Sequence, residues 1–240
     1  MMITAFYLIL VIFSTLVAVI DSANMCRTLD SPILNLVNFY SAKDVIGFVI
    51  DSFALIWATI QLEYVVRSIV LVFLPLLDYL AVQSIHMCSL VLRLNVKGID
   101  DVYRLWFTGI LQGGEQALAV STLTAVFMLF PRMSREKLLV TRNGVKNVPL
   151  STIHVAFIWL ANYIAKLVLG FYMDEVKLRN TSVWLMELLW NPYHVLAPLH
   201  AFACMLVGIL VASLQCKDVG EKRRIIKYQY MRFKWSGRLE

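Results

Sequence analysis

Residues 46–92 read IGFVIDSFALIWATIQLEYVVRSIVLVFLPLLDYLAVQSIHMCSLVL, two long apolar runs separated only by Glu63, Tyr64 and Arg67. A transmembrane helix needs about 20 mostly apolar residues, so each run is long enough to cross a bilayer. We predict one span over 46–64 and another over 67–92, joined as a tight hairpin. One long broken helix over the whole stretch is the alternative.

The same length criterion selects further runs on both sides of this stretch. It predicts an all-α, polytopic transmembrane helix bundle over 1–215, followed by a basic tail over 216–240. The first run lacks the Lys or Arg start and the cleavage site of a secretory signal, so we expect it to be retained. Its cleavage would leave five spans. The six predicted spans are approximately 2–22, 46–64, 67–92, 108–130, 152–173 and 190–215.

Composition supports a membrane protein over a soluble one. Hydrophobic residues make up 60% of the chain and charged residues 16%, and the mean hydropathy is +0.71. A soluble domain of this length does not need so much apolar surface to fill one core. We therefore expect the lipid bilayer to be the solvent for most of the surface.

The distribution of positive charge predicts the orientation in the membrane. The segment 132–150 holds five Lys or Arg against one acid, and the tail after Cys216 holds eight against three. Basic loops favour the cytosolic side, so we place both segments there, together with the amino terminus. The loop 174–189 then lies outside, and so does the candidate glycosylation site at Asn180. Because the net charge of +6 collects in these segments, it is not a sign of nucleic-acid binding.

The cysteines carry little functional signal. The four are too few and too scattered for a disulfide framework, and none has metal-ligand spacing, so we expect no metal and no cofactor. Cys26 and Cys88 both map to the predicted outer side, where an oxidising compartment would allow a disulfide between them. Free thiols are the alternative.

Small residues recur every four positions in the predicted fourth and sixth spans. This spacing puts them on one helix face and lets a neighbouring backbone approach closely. We interpret them as helix-packing positions: Gly109, Gly113, Ala117, Ser121 and Ala125 in the fourth span, and Cys204, Gly208 and Ala212 in the sixth.

Ionisable side chains within the predicted spans are the main functional signal. A lone charge at that depth costs at least about 2.5 to 3.5 kcal/mol, so these groups should face the protein interior. Glu115 and Lys166 are predicted to lie at a similar depth in the membrane, about 10 Å below the outer ends of their spans. We therefore expect them to form an ion pair. They would line a polar cavity open to the outer face, or else form a structural salt bridge. The cavity candidates are Asp78, His86, Gln112, Glu115, Asn162, Lys166 and His200.

The carboxyl tail, EKRRIIKYQYMRFKW over 221–235, alternates basic and aromatic residues. Cations near the cytosolic leaflet are attracted to anionic lipid by about 1 kcal/mol each. We expect the tail to lie on that surface, with a simple stop-transfer flank as the alternative. A homo-oligomer is a further expectation.

The second half of the chain resembles the last three helices of aquaporin-type channels, the major intrinsic protein family. The resemblance rests on GGEQALAVSTLTAVFMLF (113–130), STIHVAFIWLANYIAKLVLG (151–170) and NPYHVLAPLHAFACMLVGIL (191–210). It is closest to the unorthodox, intracellular subfamily. Glu115 matches the glutamate that opens the family's fourth helix, and Asp51 matches the acid of the other repeat. Both Asn-Pro-Ala boxes are absent, which implies a divergent or truncated member.

These features predict a channel-like or transporter-like protein, not an enzyme, that passes water or small neutral solutes. A nonconducting subunit or assembly partner is the second interpretation. A seven-helix receptor and an intramembrane lipid enzyme that uses a histidine and Asp78 are weaker ones. The sequence leaves open whether the membrane is the plasma membrane or the endoplasmic reticulum.

Overall fold

The computed structural model is mostly helical and describes residues 2–24, 36, 38–94, 113–141, 144–172, 188–192, 194–214, 224–228 and 230–232. Its elements are α1 (Met2–Asn24), α2 (Val45–Val65), α3 (Ser68–Leu94), α4 (Gly114–Leu129), a 3₁₀ turn (Met133–Arg135), β1 (Leu138–Thr141), β2 (Gly144–Asn147), α5 (Thr152–Tyr172) and α6 (Pro198–Ser213).

Four of these helices are long and apolar enough to cross a membrane. They span Met2–Val19, Val45–Val65, Ser68–Cys88 and Thr152–Gly170, whereas the apolar helices α4 and α6 are shorter. Many large apolar side chains point outward, and Phe157 on α5 is 70% exposed. Such a surface is compatible with a membrane protein, because lipid is as apolar as these side chains.

The stretch 46–92 forms two helices, as predicted. Val66 ends α2 in an extended conformation, with φ −88° and ψ 142°, and α3 begins at Ser68. Both helices contact α1 and α4. A tight hairpin and one long broken helix both contain such a break, so the choice between them stays a prediction.

Helix α4 is the centre of the bundle. Thirteen of its sixteen residues are buried, and it contacts α2, α3 and, most extensively, α6. Small side chains make this enclosure possible. A Cβ atom on Gly208 of α6 would lie 2.4 Å from the carbonyl oxygen of Ser121 on α4, so the two backbones touch at a residue that has no side chain.

A proline in the first third of α3 shows how the bundle satisfies its backbone. Pro75 has no N–H to donate to the carbonyl of Leu71, four residues earlier. The Tyr7 hydroxyl of α1 donates to that carbonyl instead, at 2.5 Å, and Tyr40 donates to the carbonyl of Pro75 itself. An unpaired carbonyl in an apolar surrounding is costly, so two tyrosines support the helix at its weakest point.

The predicted sixth span begins too early. The helix predicted over 190–215 begins only at Pro198 in the structure, and the described residues from Trp190 to Ala197 are not helical. Pro192 and Pro198 explain the difference, because proline disfavours a helical conformation in the residue before it. The residues 108–112, the start of the predicted fourth span, lie outside the described part of the chain.

The basic segment 132–150 has more structure than a simple loop. β1 and β2 pair antiparallel, with Leu138 opposite Asn147 and Thr141 opposite Gly144. Leu138 and Val140 are buried, and β1 contacts α2. The all-α expectation is therefore corrected at one point, since this hairpin covers one end of the bundle.

The described parts of both basic segments lie at that same end. The Tyr230 hydroxyl in the tail donates a hydrogen bond to Glu136 of the 132–150 segment. The start of α1 joins them, because Thr4 donates from its backbone N–H to Glu63 near the end of α2, at 2.7 Å. The first helix and the tail are thus tied to one end of the bundle.

Candidate functional site

A buried ion pair lies at the opposite end of the bundle, between α5 and the start of α2. The Lys166 ammonium contacts the Asp44 carboxylate, with Nζ 2.5 Å from Oδ2, and the Lys166 side chain is fully buried. The other Asp44 oxygen accepts from the N–H of Gly47 at 2.6 Å, so Asp44 also caps α2. A Cβ atom on Gly47 would lie 2.6 Å from Nζ. Glycine at this position makes room for the ammonium.

This pairing corrects the predicted ion pair between Glu115 and Lys166. Glu115, in the first turn of α4, instead contacts His194, with His194 Nε2 2.8 Å from Glu115 Oε1. His194 was not predicted as a partner, because a helix over 190–215 would place it near the outer end of its span, whereas it lies in the non-helical chain before α6. Asp44 was not predicted because it precedes its predicted span.

A third buried carboxyl, Asp51, lies within electrostatic reach of both pairs. The indole N–H of Trp159 on α5 donates to Asp51 Oδ1 at 2.7 Å. Asp51 also interacts electrostatically with Glu115, Lys166 and Asp44. We call Asp44, Asp51, Glu115, Lys166 and His194 the charged cluster.

Hydrogen bonds from α4 and α5 hold the extended chain beside the charged cluster. The Gln116 amide donates to the carbonyl of His194 at 3.2 Å and accepts from the N–H of Leu196 at 2.7 Å. The Tyr163 hydroxyl donates to the carbonyl of Leu196 at 2.7 Å. Backbone that is not helical survives in an apolar surrounding only where protein groups satisfy it, and these side chains do so here.

A surface groove reaches the charged cluster at Asp44. The groove has a volume of about 540 Å³ and runs between the second half of α1 and the start of α2. Most of its lining is apolar, and Lys43 and Asp44 are its charged members. The Asp44–Lys166 pair is therefore the point where the buried charges meet the surface.

The other predicted cavity residues lie in separate places. Asp78 accepts from the Ser121 hydroxyl at 2.7 Å, between α3 and α4. The rings of His86 and His200 lie edge to face between α3 and α6, with centroids 6.2 Å apart. Asn162 accepts from the Trp190 indole N–H at 2.9 Å. Gln112 lies outside the described residues.

Some of the residues predicted for helix packing and modification lie in the described part of the chain, and others do not. Ala117, Ser121 and Ala125 are buried in α4, whereas Gly113 precedes this helix with a positive φ of 90°. Its role there is a left-handed turn, which favours glycine. Cys88 is exposed with a free thiol. The remaining positions, Cys26, Gly109 and Asn180, lie outside the described residues, so the disulfide and the glycosylation stay predictions.

Two members of the charged cluster, Asp44 and His194, and two residues that contact it, Trp159 and Gln116, were not predicted from the sequence. Asp44 could have been found, because an Asp immediately before a long apolar run is a helix N-cap signal. The other three give no local signal. Among the described residues, no group of three His, Cys, Asp or Glu side chains has an arrangement that would hold a metal ion.

No protein-family model, no curated protein and no solved structure matches this chain. Function must therefore be argued from the cluster and the bundle that holds it.

The docked tail is the other polar feature with a defined geometry. Ile226 and Tyr230 are buried, and with Lys227 and Met231 they line a groove of about 290 Å³ against residues 129–133. Burial and the hydrogen bond to the negatively charged Glu136 raise the pKa of Tyr230 to about 12, although Arg132 acts in the opposite direction. The phenol therefore keeps its proton throughout the physiological range.

Proposed function

We propose that this protein is a channel-like or transporter-like membrane protein that passes water or small neutral solutes along a route beside the charged cluster. The supporting observation is the cluster itself, five ionisable side chains enclosed by apolar helices. Each lone charge at membrane depth costs at least about 2.5 to 3.5 kcal/mol. Polar groups at such depth commonly mark solute or ion pathways.

The surroundings of the cluster support a pathway. The extended residues 194–197 and the first turn of α4 meet at the cluster. Interrupted helices at membrane depth are typical of transporter binding sites. The groove that ends at Asp44 supplies an approach from the surface.

The membrane arrangement belongs to the proposal as well. We propose six passes, with α4 and α6 extended by neighbouring residues, and both termini in the cytosol. The contact between Tyr230 and Glu136 supports one common side for the two basic segments, and positive charge favours the cytosol. The basic tail would there meet anionic lipid.

The resemblance to aquaporins is part of the same proposal. It implies an acid in the first helix of each half. Glu115 lies in α4, whereas Asp51 lies in α2, the second helix of the chain, and both are buried in the charged cluster. Without the Asn-Pro-Ala boxes, the route would be lined by the cluster instead of by two re-entrant half-helices.

Osmotic shrinkage of proteoliposomes tests the proposal. Purified protein should accelerate shrinkage in sucrose over empty liposomes, or accelerate re-swelling in glycerol or urea. Lys166→Met should abolish the gain, whereas Lys146→Met, at an exposed position of β2, should leave it unchanged. Wild-type rates equal to those of empty liposomes for water and for all neutral solutes would refute conduction.

A nonconducting subunit or assembly partner is the second candidate. One observation favours it: Lys166 ties α5 to the start of α2, and Trp159 ties α5 to α2 a second time. Charges used in this way hold helices together and need no solute. Inert liposomes, together with co-purification of a stable membrane partner from native membranes, would support this reading.

A further inference from the structure

The charged cluster contains more acids than cations. Asp44, Asp51 and Glu115 are each at most 4% exposed. The positive charges that reach them are Lys166, which contacts Asp44, and His194, which contacts Glu115. Three carboxyl groups thus face two basic side chains. One carboxyl in the described cluster is therefore left without a positive partner.

Asp51 is that carboxyl. Its Oδ1 accepts from Trp159, which is a neutral donor, and its Oδ2 has no hydrogen-bond partner among the described residues. The neighbouring acids Glu115 and Asp44 add negative charge around it, and only Lys166 opposes them. A carboxylate that is buried under these conditions is strongly disfavoured against its protonated form.

Glu115 also has an open carboxyl oxygen. Its Oε1 contacts His194, but its Oε2 has no partner among the described residues. Asp51 and Glu115 interact electrostatically, so a proton on one acid lowers the repulsion between the two. Two acids in one buried site commonly share a proton for this reason.

We propose that the charged cluster is a proton-binding site, in which Asp51 holds one proton at neutral pH and Glu115 is the acid that stabilises it. The proton comes from water and binds an oxygen of Asp51, and its release returns it to water and leaves a carboxylate. The titratable groups that act on Asp51 are Glu115 on α4, Lys166 on α5 and Asp44 at the start of α2. The inference deepens the proposed function and rests on it for the placement of the cluster in the membrane.

A proton is favoured over a metal ion by the donor set. The described residues contain no three-ligand group of His, Cys, Asp or Glu. Both Asp44 oxygens and Glu115 Oε1 are used by Lys166, Gly47 and His194, which leaves two oxygens of the cluster, Asp51 Oδ2 and Glu115 Oε2, without a partner among the described residues. A cation needs several oxygens around it, whereas a proton needs one or two.

Infrared spectroscopy of the full-length protein in lipid nanodiscs tests the inference without relying on transport. We expect a carbonyl-stretch band of a protonated, water-excluded carboxyl at neutral pH, with a shift in D₂O. Asp51→Asn should remove this band. Trp159→Phe keeps the carboxyl but removes the donor to Oδ1, so it should shift the band without removing it.

Asp78 provides the matched control, because it is also a buried carboxyl that accepts from a neutral donor. Asp78→Asn should leave the Asp51 band unchanged. The inference is overturned if Asp51→Asn and Trp159→Phe both leave the spectrum unaltered. It is also overturned if exchanging Na⁺ or K⁺ for choline shifts a carboxylate band that Asp51→Asn abolishes, since the ligand would then be a metal cation.

The same preparation separates this inference from the proposed function. A band that depends on Asp51, combined with inert liposomes, leaves the proton site standing and refutes conduction. Active liposomes without the band support conduction and refute the proton site. If both hold, Asp51→Asn should make the rate of solute passage independent of pH over the range in which the wild type responds.

Discussion

The support of Pro75 by Tyr7 can be tested by a double-mutant cycle. Tyr7→Phe removes the hydroxyl that donates to the carbonyl of Leu71 and changes little else, because the ring stays. The buried carbonyl then has no donor, since Pro75 has no N–H. Leaving such a group unsatisfied costs about 1–3 kcal/mol in soluble proteins. Hydrogen bonds between membrane helices average about 0.6 kcal/mol and reach about 1.7, so we expect a loss of about 1–2 kcal/mol.

Pro75→Ala should remove the need for the tyrosine. Alanine supplies the N–H that closes the normal helical hydrogen bond to the Leu71 carbonyl. In this background Tyr7→Phe should cost close to zero, which gives a coupling energy of about 1 kcal/mol or more. The free energy of unfolding is measured by reversible denaturation with SDS in mixed micelles, for the wild type, both single variants and the double variant.

Tyr40→Phe is the matched control. Its hydroxyl donates to the carbonyl of residue 75, and that carbonyl is present whether the residue is proline or alanine. The cost of Tyr40→Phe should therefore be the same in both backgrounds. An equal cost of Tyr7→Phe in both backgrounds would refute the argument that this tyrosine replaces the missing donor.

Three other contacts in the bundle each give a further prediction. Lys166→Met should lower the free energy of unfolding by about 3–5 kcal/mol, because it leaves Asp44 charged and buried, and adding Asp44→Asn should recover most of the loss in the same SDS assay. Because the docked tail raises the pKa of Tyr230, docking should be stable below the ordinary tyrosine pKa of about 10 and be lost as the pH rises towards 12. Limited proteolysis of the tail measures its release, and Tyr230→Phe should abolish the pH dependence. Gly208→Val should force α4 and α6 apart and lower the free energy of unfolding by at least about 1–3 kcal/mol, which is typical of overpacking. A monodisperse gel-filtration profile like that of the wild type, with unchanged stability, would contradict this prediction.

The helices were predictable from the sequence because apolar length is a strong signal. The boundaries of α2, α3 and α5 differ from the predicted ones by a few residues at most. The start of α6 was not predicted, because hydropathy does not register that Pro192 and Pro198 interrupt a helix within an apolar run.

The candidate site was predictable only in part. Burial of Glu115 and Lys166 follows from the cost of charge in lipid, and both are buried. Their partners could not be derived, because pairing depends on how helices rotate and cross. Asp44 contacts Lys166 although it lies 122 positions earlier in the chain, and no spacing in the sequence predicts such a contact.

The enclosure of α4 has a consequence for biogenesis. This helix is 16 residues long, about 24 Å at 1.5 Å per residue, and nearly every side of it faces protein. Its neighbours α2 and α3 are synthesised before it, but α6, its largest contact, is synthesised after it. Nascent chains that stop before residue 198 should therefore leave Ser121 and its small neighbours uncovered in the bilayer, and we expect quality-control proteases to degrade these chains quickly until the last helix closes the bundle.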